Sequence, residues 1–141
     1  MNGYLLDTVT VSEAIARSMD SGVARWLKTA DERATYLSVL TVGEVQKAID
    51  RLEHDSKRRH ELEHWLLYGL IGKFGARILS FDMEIARLWG SMSASAQKRG
   101  YTLPVLDSQI AATARLYGLT VVTRNEKHFK SLGVATLNPW S

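Results

Sequence analysis

Short apolar runs alternate with segments of helical periodicity along this chain, and that alternation leaves it few folds. The runs at 3–6, 36–40, 77–81 and 119–122 read as buried strands. Helical patterns follow them over 8–19, from about Thr41, over 83–98, and after Asn125. Further helices are expected over 22–30, 56–74 and 108–117, with a final extended piece over 134–140. Asp20 and Asp82 stand where helix N-caps are needed, and Gly100 and Gly118 where helices must stop. Strand–helix alternation within 141 residues implies one α/β domain, residues 1–141, with a mostly parallel sheet of four to five strands between helical layers.

In such a fold the strand-to-loop junctions gather at one edge of the sheet. Asp7, Glu44, Asp107 and Asn125 fall where apolar runs give way to helices. Three carboxylates collected there would repel one another, and a divalent cation is the usual remedy. Mg²⁺ (or Mn²⁺) prefers oxygen ligands and suits a site of this kind. Asp7 and Asp107 are the first candidates as ligands, Glu44 is a longer-reaching supporting acid, and Asn125 offers a neutral carbonyl oxygen. Taken singly, each has a plainer use. Asp107 before Ser108 would cap a helix, and Glu44 in a first helical turn would complement the helix dipole.

Composition narrows the classes of function. There are no cysteines, so disulfides and thiolate metal sites are excluded. No basic segment followed by an apolar one opens the chain, and the apolar stretch 65–71 is too short for a membrane span. A cytoplasmic protein without a membrane partner is expected. The net charge of +3 permits nucleic-acid binding without requiring it.

His60-Glu61-Leu62-Glu63-His64 matches the H-E-x-x-H pattern of zinc metalloproteases, with Glu84 as a conceivable third ligand. Lys57-Arg58-Arg59 precedes it, and Glu63 adds charge inside it. An exposed helix with Lys57–Glu61 and Arg59–Glu63 pairs explains the same residues. The basic run also suits RNA phosphates, against a solvated helix start. Segment 65–71 is a candidate homodimer surface, against ordinary core burial.

An ordered set of motifs brings a specific resemblance. Tyr4-Leu-Leu-Asp-Thr8 with Ser12-Glu13 and Ser38-Val-Leu-Thr-Val-Gly-Glu44 come first. Ile78-Leu-Ser-Phe-Asp82, Leu103-Pro-Val-Leu-Asp107 with Ile110-Ala-Ala112, Val122-Thr-Arg-Asn125 with Phe129, and Asn138-Pro-Trp140 follow. Together they resemble PIN-domain toxins of the VapC/FitB group, from type II toxin–antitoxin pairs. The resemblance implies a PIN-like three-layer α/β/α sandwich, Mg²⁺-dependent endoribonuclease activity, and a cognate antitoxin through which alone operator DNA would be met. It assigns metal coordination to Asp7 and Asp107, with Glu44 as the further acid and Asn125 at a fourth position. Thr123 and Arg124 match a Thr-Arg element that orients the acids or a phosphate, and Thr8 belongs to the first motif. Val9 and His128 depart from the family's more polar choices, so one ion is expected rather than two. A weakly active or inactive subunit of an antitoxin–DNA repressor complex is the alternative. The sequence names neither the RNA target nor the antitoxin.

Overall fold

Leu5 and Leu6 point to opposite faces of one strand, and each is buried in a different apolar cluster. A strand apolar on both faces needs a helical layer on each side. That is the architecture of the computed structural model, which describes residues 2–141. Strands β1 (Tyr4–Leu6), β2 (Thr35–Ser38), β3 (Ile78–Leu79), β4 (Thr120–Val122) and β5 (Thr136–Leu137) form a sheet in the order β3-β2-β1-β4-β5. Every pairing is parallel, with Leu5 opposite Tyr36 on one side and Val121 on the other. The expected mostly parallel sheet of four to five strands is therefore five strands, all parallel.

The outer layers are helical. Helices α1 (Thr8–Glu13), α2 (Ser21–Thr29) and α3 (Val39–Asp50) share one layer with α4 (Lys57–His64), which runs on through a π-helical stretch, Trp65–Ile71, into α5 (Gly72–Phe74). Leu6, Val11, Leu37, Val45, Ile49, Leu66, Leu70 and Val122 form the core beneath them. Helices α6 (Met83–Lys98), α7 (Val105–Tyr117) and α8 (Glu126–Lys130) cover the other face over Leu5, Ile85, Ile110, Val121 and Phe129. Ala111, Ala112 and Ala114 are completely buried, and their small side chains let α7 lie close to the sheet and to α6.

Several boundaries differ from the sequence reading. The helix expected over 8–19 ends at Glu13. Its first four residues, Thr8-Val-Thr-Val11, are all β-branched and poor helix formers. Beyond it, Arg58 Nη2 donates to the carbonyl of Ile15 (2.8 Å) and holds the chain in a turn. The Ser38 hydroxyl accepts from Leu40 N (3.1 Å) and so caps α3 earlier than expected. Glu44 thereby moves from the first turn of the helix to the second. Helix α7 begins at Val105, not Ser108, after a Pro104 that fixes the extended entry. Asp107 accordingly lies within the first turn, is no N-cap, and follows no strand. Asp20 and Asp82 do cap, accepting from Val23 N and Ile85 N at 3.0 Å each. Gly100 and Gly118 stop their helices with φ of 82° and 66°.

Segment 65–71 divides between the two readings of it. Leu66 and Leu70 are core, whereas Leu67 and Tyr68 are 54% and 69% exposed.

Candidate active site

The chain leaves β1 for β2 on one side, yet β4 pairs with β1 on the other. The C-terminal ends of β1 and β4 therefore flank the switch in strand order, where an open parallel sheet has its natural crevice. Asp7 is the first residue past β1, and Thr123 the first past β4. Asp7 N donates to the carbonyl of Val122 (3.2 Å), which fastens the two exits together.

Asp7 is almost wholly buried, at 2% exposure. Its Oδ1 accepts from Thr10 N (2.9 Å) and from the Thr10 hydroxyl (2.8 Å), so the carboxylate caps α1 at the strand-order switch. Burial pushes its carboxyl above the usual carboxylate range. Hydrogen bonds from the Thr123 hydroxyl and from Thr10 pull it back, and the negative charge of Asp107 pushes it up again. Asp107, one hundred residues further along the chain, is thus near enough for its charge to be felt at Asp7. The first turn of α7 carries Asp107 there.

His128, on α8, completes the pair. Its Nδ1–H donates to Asp107 Oδ2 at 2.7 Å and fixes that carboxylate. The sequence marked His128 only as a departure from a family pattern. Nothing local announces a contact between residues 21 positions apart. Thr10 had a readable signal, the i+3 spacing from Asp7 that a capping residue uses. Thr123 is fully buried, and its hydroxyl also accepts from Asn125 N (3.0 Å). It is thus shared between the acid and the loop. Thr8 Oγ1 lies 3.2 Å from Thr41 Oγ1 and joins the starts of α1 and α3 at the crevice wall.

Not every expected residue converges. Glu44 is half-exposed, and among the described residues no three Asp, Glu or His side chains stand close enough together to hold one ion. Asn125 is exposed, its side chain making no cap to α8. The guanidinium of Arg124 lies over the ring of Trp140 (5.8 Å to its centroid). The zinc-protease pattern fails on position. His60, Glu61 and His64 are exposed on α4 and gather no third ligand among the described residues. The helix instead carries the two expected ion pairs, Lys57–Glu61 (4.0 Å) and Arg59–Glu63 (3.1 Å).

The family model for the PIN domain matches residues 4–134, nearly the full chain. The chain belongs to the PIN-domain family. Among PIN-domain relatives, Toxin FitB of Neisseria gonorrhoeae is 33% identical over 96% of this chain and 97% of its own. VapC ribonuclease Y4jK of Sinorhizobium fredii is 31% identical over 96% of each. The solved structure of FitAB bound to an IR36 DNA fragment superposes with a TM-score of 0.92 at 31% identity, covering 98% of this chain and 96% of that one. The PIN domain here thus sits with the VapC/FitB group, and the three-layer sandwich inferred from the sequence is its fold.

Proposed function

We propose that this PIN-domain protein is the toxin of a type II toxin–antitoxin pair and cleaves RNA phosphodiesters with the help of a divalent metal. The observation that supports the reading is Asp7, buried just past β1 at the strand-order switch, with its carboxyl raised first by burial and to a lesser extent by the charge of Asp107. Relatives named as toxin and ribonuclease support the same conclusion. Two carboxylates from separate elements suit Mg²⁺ or Mn²⁺, which bind through one or two such groups and keep several waters. Asp7 and Asp107 would hold the ion, with Glu44 acting from the second turn of α3 through water. A bound ion of this kind lowers the pKa of a ligand water and neutralises charge on phosphoryl oxygens.

The protein's own contribution is positioning. Thr10 and Thr123 hold Asp7 from two sides, and His128 holds Asp107, so neither carboxylate must be reorganised when substrate arrives. Arg124 and Asn125 stand at the rim, where the exposed guanidinium can meet a phosphate. A cognate antitoxin would cover this edge, a homodimer would be the toxin's own assembly, and operator DNA would be met through the antitoxin. The FitAB complex with DNA supports that arrangement. Among the described residues no helix is long and apolar enough to cross a membrane.

A second reading, a weakly active subunit of a repressor complex, draws on the absence of a third close acid among the described residues. Growth of cells expressing the chain alone separates the two. Arrest that is relieved by Asp7→Asn and by Asp107→Asn supports the nuclease. Arrest that persists in both variants removes the acid pair from the mechanism.

A further inference from the structure

Beside the acid pair lies a cavity of about 440 Å³ walled by Arg124, Asn125, Glu126, Lys127, His128 and Lys130. We propose that it binds a backbone phosphate of single-stranded RNA next to the bond that is cut, with Lys127 and Arg124 as the cations that hold it. The inference rests on the ribonuclease reading and assigns that reading a substrate subsite.

Position comes first. His128 lines the cavity and also donates to Asp107 Oδ2 (2.7 Å), so the cavity adjoins that carboxylate. A phosphate resting here is a neighbour of whatever lies over Asp107. Size agrees. The volume falls within the range of about 300–1,000 Å³ usual for small-ligand sites, room for a nucleotide rather than a bare ion. A concave site between a loop and a short helix admits a flexible strand, whereas the regular surface of an RNA duplex is read across its grooves.

Charge then selects the residues. Two carboxylates at the centre repel a polyanion, so cations must stand beside them to bring the strand in. Lys130 is partly spent, since its Nζ lies 3.6 Å from Glu126 Oε2. Lys127 and Arg124 have no carboxylate partner among the ion pairs of the described residues. Arg124 is also steadied. Its guanidinium lies over Trp140, and the segment carrying Trp140 is tied back to α2 where Ser141 N donates to Asp20 Oδ2 (3.0 Å). A planar cation held in a cavity wall is well suited to phosphate.

The test measures binding of a short labelled single-stranded RNA by fluorescence anisotropy over a salt series. The Asp7→Asn protein serves as parent, so that no cleavage intervenes. Lys127→Ala and Arg124→Ala should each lower the slope of log affinity against log salt by about 0.7, the value for one single-strand phosphate contact. The double variant should lose about twice that. Arg33→Ala is the control. Arg33 is exposed just before β2, at the opposite edge of the sheet, and its removal should leave the slope unchanged. Slopes unaffected by Lys127→Ala and Arg124→Ala, or reduced equally by Arg33→Ala, overturn the subsite while wild-type cleavage leaves the ribonuclease reading standing. A wild type that neither cuts nor binds RNA removes both.

Discussion

Replacing Asp7 with Asn should stabilise the protein at neutral pH while disabling its site. The amide retains an Oδ1 to accept from Thr10 N and the Thr10 hydroxyl, so the cap on α1 survives and the buried charge goes. The native carboxyl is raised above its ordinary 3.8, first by burial, and so it binds its proton more tightly than in the unfolded chain. As pH climbs from 3.8 to the raised native value, the unfolded state releases this proton before the native state does. The Asp7 contribution to wild-type stability therefore falls with rising pH across that window and is constant on either side of it, while Asp20 and Glu126, whose carboxyls are lowered, act equally in wild type and variant. Above the window each unit of displacement costs about 1.4 kcal/mol, and 1 kcal/mol moves the Tm of a domain this long by about 3 °C. The assay is thermal unfolding by circular dichroism in chelator, from acid to neutral pH. The advantage of Asp7→Asn should grow through the window and then level. Magnesium should reverse the order, since a hundredfold excess over Kd adds about 2.7 kcal/mol to a protein that binds it. An Asn variant that is less stable in neutral chelator, or that gains as much from magnesium as the wild type does, refutes the reasoning.

His128→Ala removes the hydrogen bond that holds Asp107 Oδ2 and should weaken Mn²⁺ binding about tenfold in calorimetric titration. Unchanged affinity would remove the positioning role. Gly22→Ala drives a Cβ into the Pro139 carbonyl oxygen, so the 138–141 segment must shift off α2. A loss of about 1–3 kcal/mol in urea unfolding is expected, and a neutral result would mean the segment is loosely held. Leu67→Glu places a charge on the exposed side of the π-helical stretch. It should reduce self-association in sedimentation velocity with the fold intact; undiminished association would locate the homodimer elsewhere.

What the sequence made legible was whatever local chemistry encodes. Period and apolarity gave the strands, and the caps at Asp20 and Asp82 and the stops at Gly100 and Gly118 stand where their residue types require. Boundaries moved where a local signal met a stronger one. The Ser38 hydroxyl drew α3 forward and carried Glu44 a turn deeper, and Pro104 started α7 ahead of Asp107, which removed the plainer use of that residue as a cap. The candidate site was half legible. Asp7 and Asp107 were named from topology together with family resemblance, and in the fold the charge of Asp107 is felt at Asp7. The contact between His128 and Asp107, the sharing of Thr123 between an acid and a loop, and the isolation of Glu44 are products of tertiary packing. Spacing along the chain holds no record of them.

The central claim is that Asp7 and Asp107 together make this PIN domain a metal-dependent ribonuclease. Its most direct test is cleavage of RNA by the purified protein, with Mg²⁺ and with chelator, beside Asp107→Asn prepared identically. Cleavage that needs the metal, stops in chelator, returns when Mg²⁺ is restored, and is lost in the variant is the expected result. Cleavage that continues in chelator or survives Asp107→Asn would contradict it.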